Sequence, residues 1–398
     1  MTTQATNTDI KSSYKQTILE HFPAVMDLVQ QLYDKPEIGG EEYFAHDLLS
    51  SFLEEHGFTV TRELGMPTGF LGAYGDPASG PVIALCAEYD ALPGIGHGCG
   101  HNHFGGMSIL AALGLKEVMD QVGGQILLVG TPAEENLGGK IKMVDAGVFN
   151  GVDATLMIHP SSKNGLGSMT QALNPVKFEF HGKSAHGCKP QEGASALDAA
   201  VMAYTSINFQ RQFVPDGTFI HGIIKDGGQA ANVIPEYASL EYYFRAPKMA
   251  DALKMTEDAT KRAQAAADAA GCTMEASIYE CPYGETLLNE PLAALMQEAY
   301  EEVGLENIEP LNYKPGGSSD VGAVSFICPT VHAYIKIADS HVAGHSKEMA
   351  EATISPAGEQ ALKDGATSLA IASHRLLTDK EALQTCKDAH AEQLAAAE

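Results

Sequence analysis

The sequence predicts two units: an α/β domain interrupted by a smaller α+β insertion of the ferredoxin-like kind. Three observations carry this. The chain has 398 residues, beyond the size at which one hydrophobic core usually keeps growing. Toward both ends, apolar runs of strand length alternate with segments of helical period, as in an α/β domain with a largely parallel sheet. From residue 174 the order changes to strand, helix, strand, strand, helix, strand over about 110 residues, a pattern that forms a domain by itself.

Residues 18–33 and 41–56 repeat apolar side chains at helical spacing, with Phe44, Leu48 and Phe52 on one face of the second and Gly57 as its stop. The run PVIALCA, 81–87, reads as a short buried strand, 105–119 as a helix, QILLVG (125–130) as the next strand and ATLMI (154–158) as a third. The insertion takes 174–288, with strands at VKFEFHG, FIHGIIKDGG, ASLEYYFR and TMEASIYE and helices at 194–211 and 250–270. The outer domain, 1–173 and 289–398, then resumes with a helix, the strand VHAYIKI and a long C-terminal helix, whose Ala-rich end after Lys387 reads as fraying.

At 44% apolar and 19% charged residues the chain is globular in composition, and its net charge of −26 disfavours nucleic acid and anionic membranes as partners. The opening MTTQATNTDIKSSYKQ lacks the apolar centre of a leader peptide, and no run reaches membrane-span length. Seven cysteines, at 86, 99, 188, 272, 281, 328 and 386, form no framework. Free thiols in a reducing, cytoplasmic setting are the expectation.

The chemistry concentrates in CAEYDALPGIGHGCGHNHFGG, 86–106. The strand before it ends at Glu88 and Asp90, and the following loop delivers His97, Cys99, His101 and His103. Functional groups of open α/β sheets gather at the carboxyl ends of strands. A phosphate cradle is disfavoured, because Gly94, Gly96, Gly98 and Gly100 do not form G-x-G-x-x-G. Cys-x-His suits zinc or a similar transition metal, although alone it equally describes a buried thiol beside a capping histidine. The next strand runs into TPAEENLGG, bringing Glu134 and Glu135, and the third ends on His159. Adjacent carboxylates on a turn are often just solvated. Beside a metal they divide labour, one binding the ion and the other taking a proton from a water whose pKa the ion has lowered toward about 7.

The motifs AEYDALPGIGHGCGHN, GTPAEEN, MIHP, HGKSAHGCKPQEGASALDA, GGQAANVIPEYASLEYYFR and GGSSDVG resemble those of the aminoacylase and carboxypeptidase G family of two-metal peptidases. The nearest branch is the amidohydrolases that act on hippurate, auxin conjugates and aminobenzoyl-glutamate, together with the aminoacylase-1-like dipeptidases. The likeness runs in order from about residue 30 to 370, and it implies a zinc-peptidase-like catalytic domain with an inserted dimerisation domain. It implies that Cys99, His101, Glu135, His159 and His345 hold two divalent ions, zinc first, with manganese, cobalt or nickel as alternatives, and that Cys99 bridges them. Glu134 would be the general base, and Asp90 would orient a ligand histidine. Glu88 stands where members outside this branch carry a histidine, so it stays open as a ligand. Spacing alone does not choose among His332, His341 and His345; the family pattern favours His345, with His341 next.

In the insertion, the resemblance implies that His186 donates to the oxyanion of the tetrahedral intermediate, often in the partner subunit's site, which makes a homodimer the expected assembly. Asn232, Arg245, Gly317 and Ser318 occupy positions associated with substrate binding. Arg245 suits a bidentate hold on a carboxylate, although a strand-end surface arginine is its plainer reading. The implied activity is hydrolysis of a linear amide that carries a free carboxylate on its amine side: an N-acyl amino acid, an aminobenzoyl-glutamate-like conjugate or a dipeptide. Two rivals remain, a silent relative that only binds a metabolite and a hydrolase using Cys99 as nucleophile. His97 and His103 read as structural or orienting groups, Cys188 has no assigned role, and the remaining histidines show no partner.

Overall fold

In the computed structural model, which describes residues 7–314, 316–338 and 340–397, the first helices are α1 (Asn7–Asp34) and α2 (Tyr43–Glu55). The first part of the stretch read for a leader, through residue 6, lies outside the described residues. Strands β1 (Thr59–Arg62), β2 (Phe70–Asp76) and β3 (Val82–Glu88) follow, then α3 (His101–Lys116), the single turn α4 (Met119–Val122), β4 (Gly124–Thr131), α5 (Gly139–Asp145) and β5 (Ala154–Ser161). Helix α3 is buried on every side from His101 to Leu115, as expected of a helix apolar all round. It begins four residues earlier than its apolar period suggests. Gly105 and Gly106 obscure that first turn in the sequence, yet the packing requires them: a Cβ on Gly105 would lie 2.8 Å from the Glu88 carbonyl oxygen, and one on Gly106 2.5 Å from Val29 Cγ2.

The second unit, Thr170–Glu285 with Pro315–Ser319, contains β6 (Ala172–His181), the short β7 (Ala185–His186), α6 (Ala196–Gln210), β8 (Phe219–Asp226), the short β9 (Val233–Ile234), β10 (Tyr237–Ala246), α7 (Met249–Ala270) and β11 (Thr273–Ile278). Its sheet has the order β11-β6-β10-β8, with every neighbouring pair antiparallel. Val176, Phe178 and Phe180 of β6 and Leu240, Tyr242 and Phe244 of β10 pack against an alanine face of α6 and α7. Small side chains let both helices approach the sheet closely. The pair β7–β9, which the sequence pattern does not announce, sets His186 opposite Val233.

The first unit resumes with α8 (Glu290–Glu302), α9 (Val321–Ser325), β12 (Thr330–Lys336), α10 (Lys347–Ala352), α11 (Pro356–Thr378) and α12 (Lys380–Ala397). Its sheet runs β1-β2-β4-β3-β5-β12; β4, β3, β5 and β12 are mutually parallel, and β2 and β1 close one edge antiparallel. The last helix corrects the expectation of a fraying end. It is continuous to Ala397 because its inner face is tied down: Cys386 is buried and His390 Nε2 donates to the Ser325 carbonyl at 2.8 Å. No described helix is long and apolar enough to cross a membrane.

Candidate metal centre and active site

Three parallel strands of the first unit deliver the donors. Past the end of β3, the loop to α3 finishes with Gly100 in the left-handed region (φ 83°) and places Cys99 and His101 on either side of it. Past β4, Ala133 adopts φ 55°, unusual for a residue with a Cβ, and turns the chain so that Glu134 and Glu135 follow. A buried carboxylate holds this bend, Glu42 Oε1 accepting from the Ala133 N–H at 2.8 Å. His159 lies within β5. His345, itself at φ 59°, is brought up from the segment before α10, its N–H donating to the Gly98 carbonyl at 2.9 Å.

The donor atoms fall into groups whose members lie within 4.8 Å of one another: Cys99, His101 and His159; Cys99, Glu135 and His345; and His101, Glu134 and Glu135. Cys99 is common to the first two. Its Sγ stands 3.4 Å from His159 Nε2, and His345 Nε2 stands 3.5 Å from Glu135 Oε1. Of the three C-terminal histidines, His345 is the one among the donors. His341 is exposed, and His332 is half-buried within β12 with its ring against His159 and Tyr334.

The ring nitrogens are assigned by their partners. His159 Nδ1 lies 2.6 Å from the Pro160 carbonyl oxygen, which can only accept, so Nε2 carries the lone pair that faces Cys99. His101 Nδ1 donates to Asp90, 2.8 Å from Oδ1 and 3.2 Å from its carbonyl, while Asp90 Oδ2 accepts from the Glu135 N–H at 3.0 Å. Asp90 thus ties a histidine of one loop to a carboxylate of the next. His101 Nε2 and Glu135 Oε1 are buried and make no hydrogen bond, each turned toward the other donors of its group, with Glu88 Oε2 3.0 Å from the first and His345 Nε2 3.5 Å from the second. One thiol, three imidazoles and a carboxylate, arranged as two groups that share the sulfur, fit a pair of divalent cations.

The electrostatics agree with a cation-binding cluster. Burial pushes the Cys99 thiol up to about 12, so its surroundings alone do not make it a nucleophile at neutral pH. Burial, and then His101, lowers His159 to about 4, leaving the neutral ring that binds metal. Burial, with repulsion from Glu88 and Asp320, holds Glu134 well above the ordinary carboxylate range. That is the direction a general base working near neutral pH requires. His97 and His103 are buried and neutral, each lowered to about 4 by burial.

Sequence reasoning missed Lys140. It is fully buried at the start of α5, its Nζ 2.5 Å from Glu88 Oε1 and 2.7 Å from Asp320 Oδ1. A lysine in a helical period reads as solvated, and nothing local marks this one beyond the glycine pair before it. Glu88, which burial alone would raise, is pulled down to about 2 by Lys140 and then His101.

The other predicted residues lie in the second unit. His186 is exposed on β7, its Nδ1 accepting from the Cys188 N–H at 3.1 Å. Asn232 is beside it, its carbonyl accepting from the Gly187 N–H at 2.8 Å. Arg245 donates to Ser318 Oγ at 2.9 Å and lies over the Tyr243 ring, while the Gly317 carbonyl accepts from the Gln171 N–H at 2.9 Å.

Comparison with known proteins places these features among relatives. The sequence profile of peptidase family M20/M25/M40 matches residues 84–368. The mouse (Mus musculus) Xaa-Arg dipeptidase is 36% identical over 348 residues, covering 83% of this chain and 80% of its own. A p-aminobenzoyl-glutamate hydrolase chain of Escherichia coli K12 is 35% identical over 305 residues, covering 70% of this chain and 62% of its own. Among solved structures, the aminobenzoyl-glutamate utilization protein of Klebsiella pneumoniae superposes with a TM-score of 0.71 at 18% identity, over 92% of this chain and 98% of that one. A dinuclear metal binding peptidase of the M20 family from Bacillus subtilis gives 0.65 at 20% identity, over 88% and 98%. At such identities the likeness is one of fold.

Proposed function

The chain belongs to peptidase family M20/M25/M40, and from that premise we propose that it hydrolyses linear amides with a free amino-acid carboxylate on the amine side, using two divalent ions, zinc first. The observation that carries this is Cys99 shared between two donor groups, with Glu134 adjoining their one carboxylate, Glu135. Cys99, His101 and His159 would hold one ion, and Cys99, Glu135 and His345 the other. When bound, the ions supply Lewis acidity to the scissile carbonyl and to the attacking water.

The remaining chemistry belongs to the side chains. Glu134 removes a proton from the water as its oxygen bonds to the carbonyl carbon, then gives that proton to the amine nitrogen as the carbon–nitrogen bond breaks. Asp90 keeps the His101 ring in one tautomer and orientation. His186 donates to the oxyanion, Arg245 receives the substrate carboxylate through its fork, and Asn232, Gly317 and Ser318 line the path of the substrate backbone.

Both curated relatives carry an amino acid in the names of their substrates, arginine in one and glutamate in the other. The net charge of −26 attracts a cationic residue at long range and repels a dicarboxylate. Dipeptides ending in a basic residue are therefore favoured over N-acyl amino acids and acyl-glutamates. A matched panel of N-acyl amino acids, p-aminobenzoyl-glutamate and Xaa-Arg, Xaa-Lys and Xaa-Glu dipeptides tests this. Higher kcat/KM on the basic dipeptides, shrinking with added salt, is the expected result; preference for the glutamate conjugate overturns the assignment.

A homodimer through the second unit is part of the reading. Strand β8 is a sheet edge with Phe219, Ile223 and Ile224 exposed, and Phe209 on α6 is exposed as well. Such an edge is usually protected or paired. Free cysteines and acidic charge support a cytoplasmic protein with small-molecule substrates and neither nucleic acid nor membrane as partner.

A further inference from the structure

A buried cation stands behind the donor cluster and belongs to neither donor group. Lysine is almost never wholly buried unless paired, and Lys140 is paired three ways. Besides Nζ on Glu88 Oε1 at 2.5 Å and on Asp320 Oδ1 at 2.7 Å, its backbone N–H donates to Asp320 Oδ2 at 2.9 Å. The second oxygen of Glu88 lies 3.0 Å from His101 Nε2. One ammonium therefore links the carboxyl end of β3, the residue that opens α9 and, through Glu88, a histidine of the first donor group.

The backbone delivers Lys140 with little freedom. Gly138 takes φ 62°, and a Cβ on Gly139 would lie 1.8 Å from the Pro132 carbonyl oxygen. The first turn of α5 is thus pressed against the bend that carries Glu134 and Glu135. A side chain leaving that turn has a short, defined route to the end of β3. The ring of His101 sits between two carboxylates, Asp90 at Nδ1 and Glu88 beside Nε2. Lys140 holds the far oxygen of Glu88.

We propose that Lys140 is a positioning residue for the hydrolytic site, fixing the Glu88 carboxylate and Asp320 behind the donor cluster, so that the free oxygen of Glu88 stays beside His101 Nε2, next to the ion that Cys99, His101 and His159 would hold. This rests on the proposed two-ion reading. It touches no substrate, so its loss acts on ion affinity and kcat rather than on KM. Outer partners of metal ligands are worth roughly 10 to 100-fold.

The test uses the full chain carrying Lys140→Met, Lys140→Arg, Glu88→Gln and the Met/Gln double, with folding checked by thermal unfolding. Ion affinity is measured for zinc alone, against a chromophoric chelator, and kcat and KM for a dipeptide. Expected for Lys140→Met is a loss of roughly 10 to 100-fold in affinity for one ion and in kcat, with KM nearly unchanged. Lys140→Arg should recover part of the loss, and the double variant should be no worse than Lys140→Met alone, because both act through one contact. A folded Lys140→Met that binds both ions as tightly as the native chain overturns the inference, as does a loss that simply multiplies with that of Glu88→Gln. Should Lys140→Met not fold, Lys140→Met with Glu88→Gln and Asp320→Asn removes the stranded charges, and tight binding of both ions by that variant is equally fatal. A native chain that hydrolyses amides without ions defeats the two-ion reading and this inference together; a native chain that needs them, beside a variant that binds them normally, defeats this inference alone.

Discussion

Glu134 and Glu135 are neighbours with different surroundings, and their substitutions should separate. Glu135 faces His345 and shares a donor group with Cys99, whereas Glu134 is the carboxyl that desolvation and the neighbouring Glu88 and Asp320 hold above its ordinary range. Glu134→Gln is expected to lower turnover by about 10² to 10⁴ with metal content unchanged; Glu135→Gln is expected to lower metal content too. Equal metal loss in both would undo the division of roles. His103 provides a pH test independent of catalysis. It is buried, donates to the Gly358 carbonyl at 2.8 Å and is lowered to about 4 by burial. Between pH 6.5 and 4 the unfolded chain therefore binds this proton first, so stability present above 6.5 is lost as pH falls, by about 3 kcal/mol over the whole interval. Urea unfolding at pH 7.5 and 5 should show the loss, and His103→Gln should flatten it; an unchanged slope would mean that the histidine is protonated in the folded protein.

At the scale of elements, the site depends on how β3 and α3 pack, since the first ends on Glu88 and the second begins with His101. Gly105→Ala would drive a methyl against the Glu88 carbonyl, at a cost of about 1 to 3 kcal/mol, and should weaken metal binding as well. Unfolding and zinc titration check both; a variant as stable as the native protein would mean that the helix shifts freely. The parallel strands were legible because each is a short apolar run that ends in polar, chemically capable residues. Strands β1 and β2 were not, since β1 alternates polar residues over only four positions and β2 is interrupted by Gly72 and Gly75. The start of α3 was hidden by the two glycines that its packing needs. Lys140 was hidden for a related reason: its partners, Glu88 and Asp320, are distant in sequence, and only the fold brings them together.

For the molecule as a whole, the change of period near residue 174 announced a second unit because an antiparallel sheet with helices on one face writes a different pattern from parallel strands between helices. The short segment Pro315–Ser319 that groups with it carries no such pattern, being proline, two glycines and two serines. If the edge strand β8 forms the dimer, Ile223→Asp should give a monomer by sedimentation and, if His186 serves the partner's site, a coincident loss of activity. A native chain that is monomeric and fully active would remove both the interface and that role for His186. The central claim, a pair of ions at Cys99 driving amide hydrolysis, is met most directly by elemental analysis of the purified chain before and after chelation, with dipeptide hydrolysis followed in parallel. About two divalent ions per chain, activity lost on chelation and regained with added metal, is the predicted result; a metal-free chain whose activity survives chelation would contradict it.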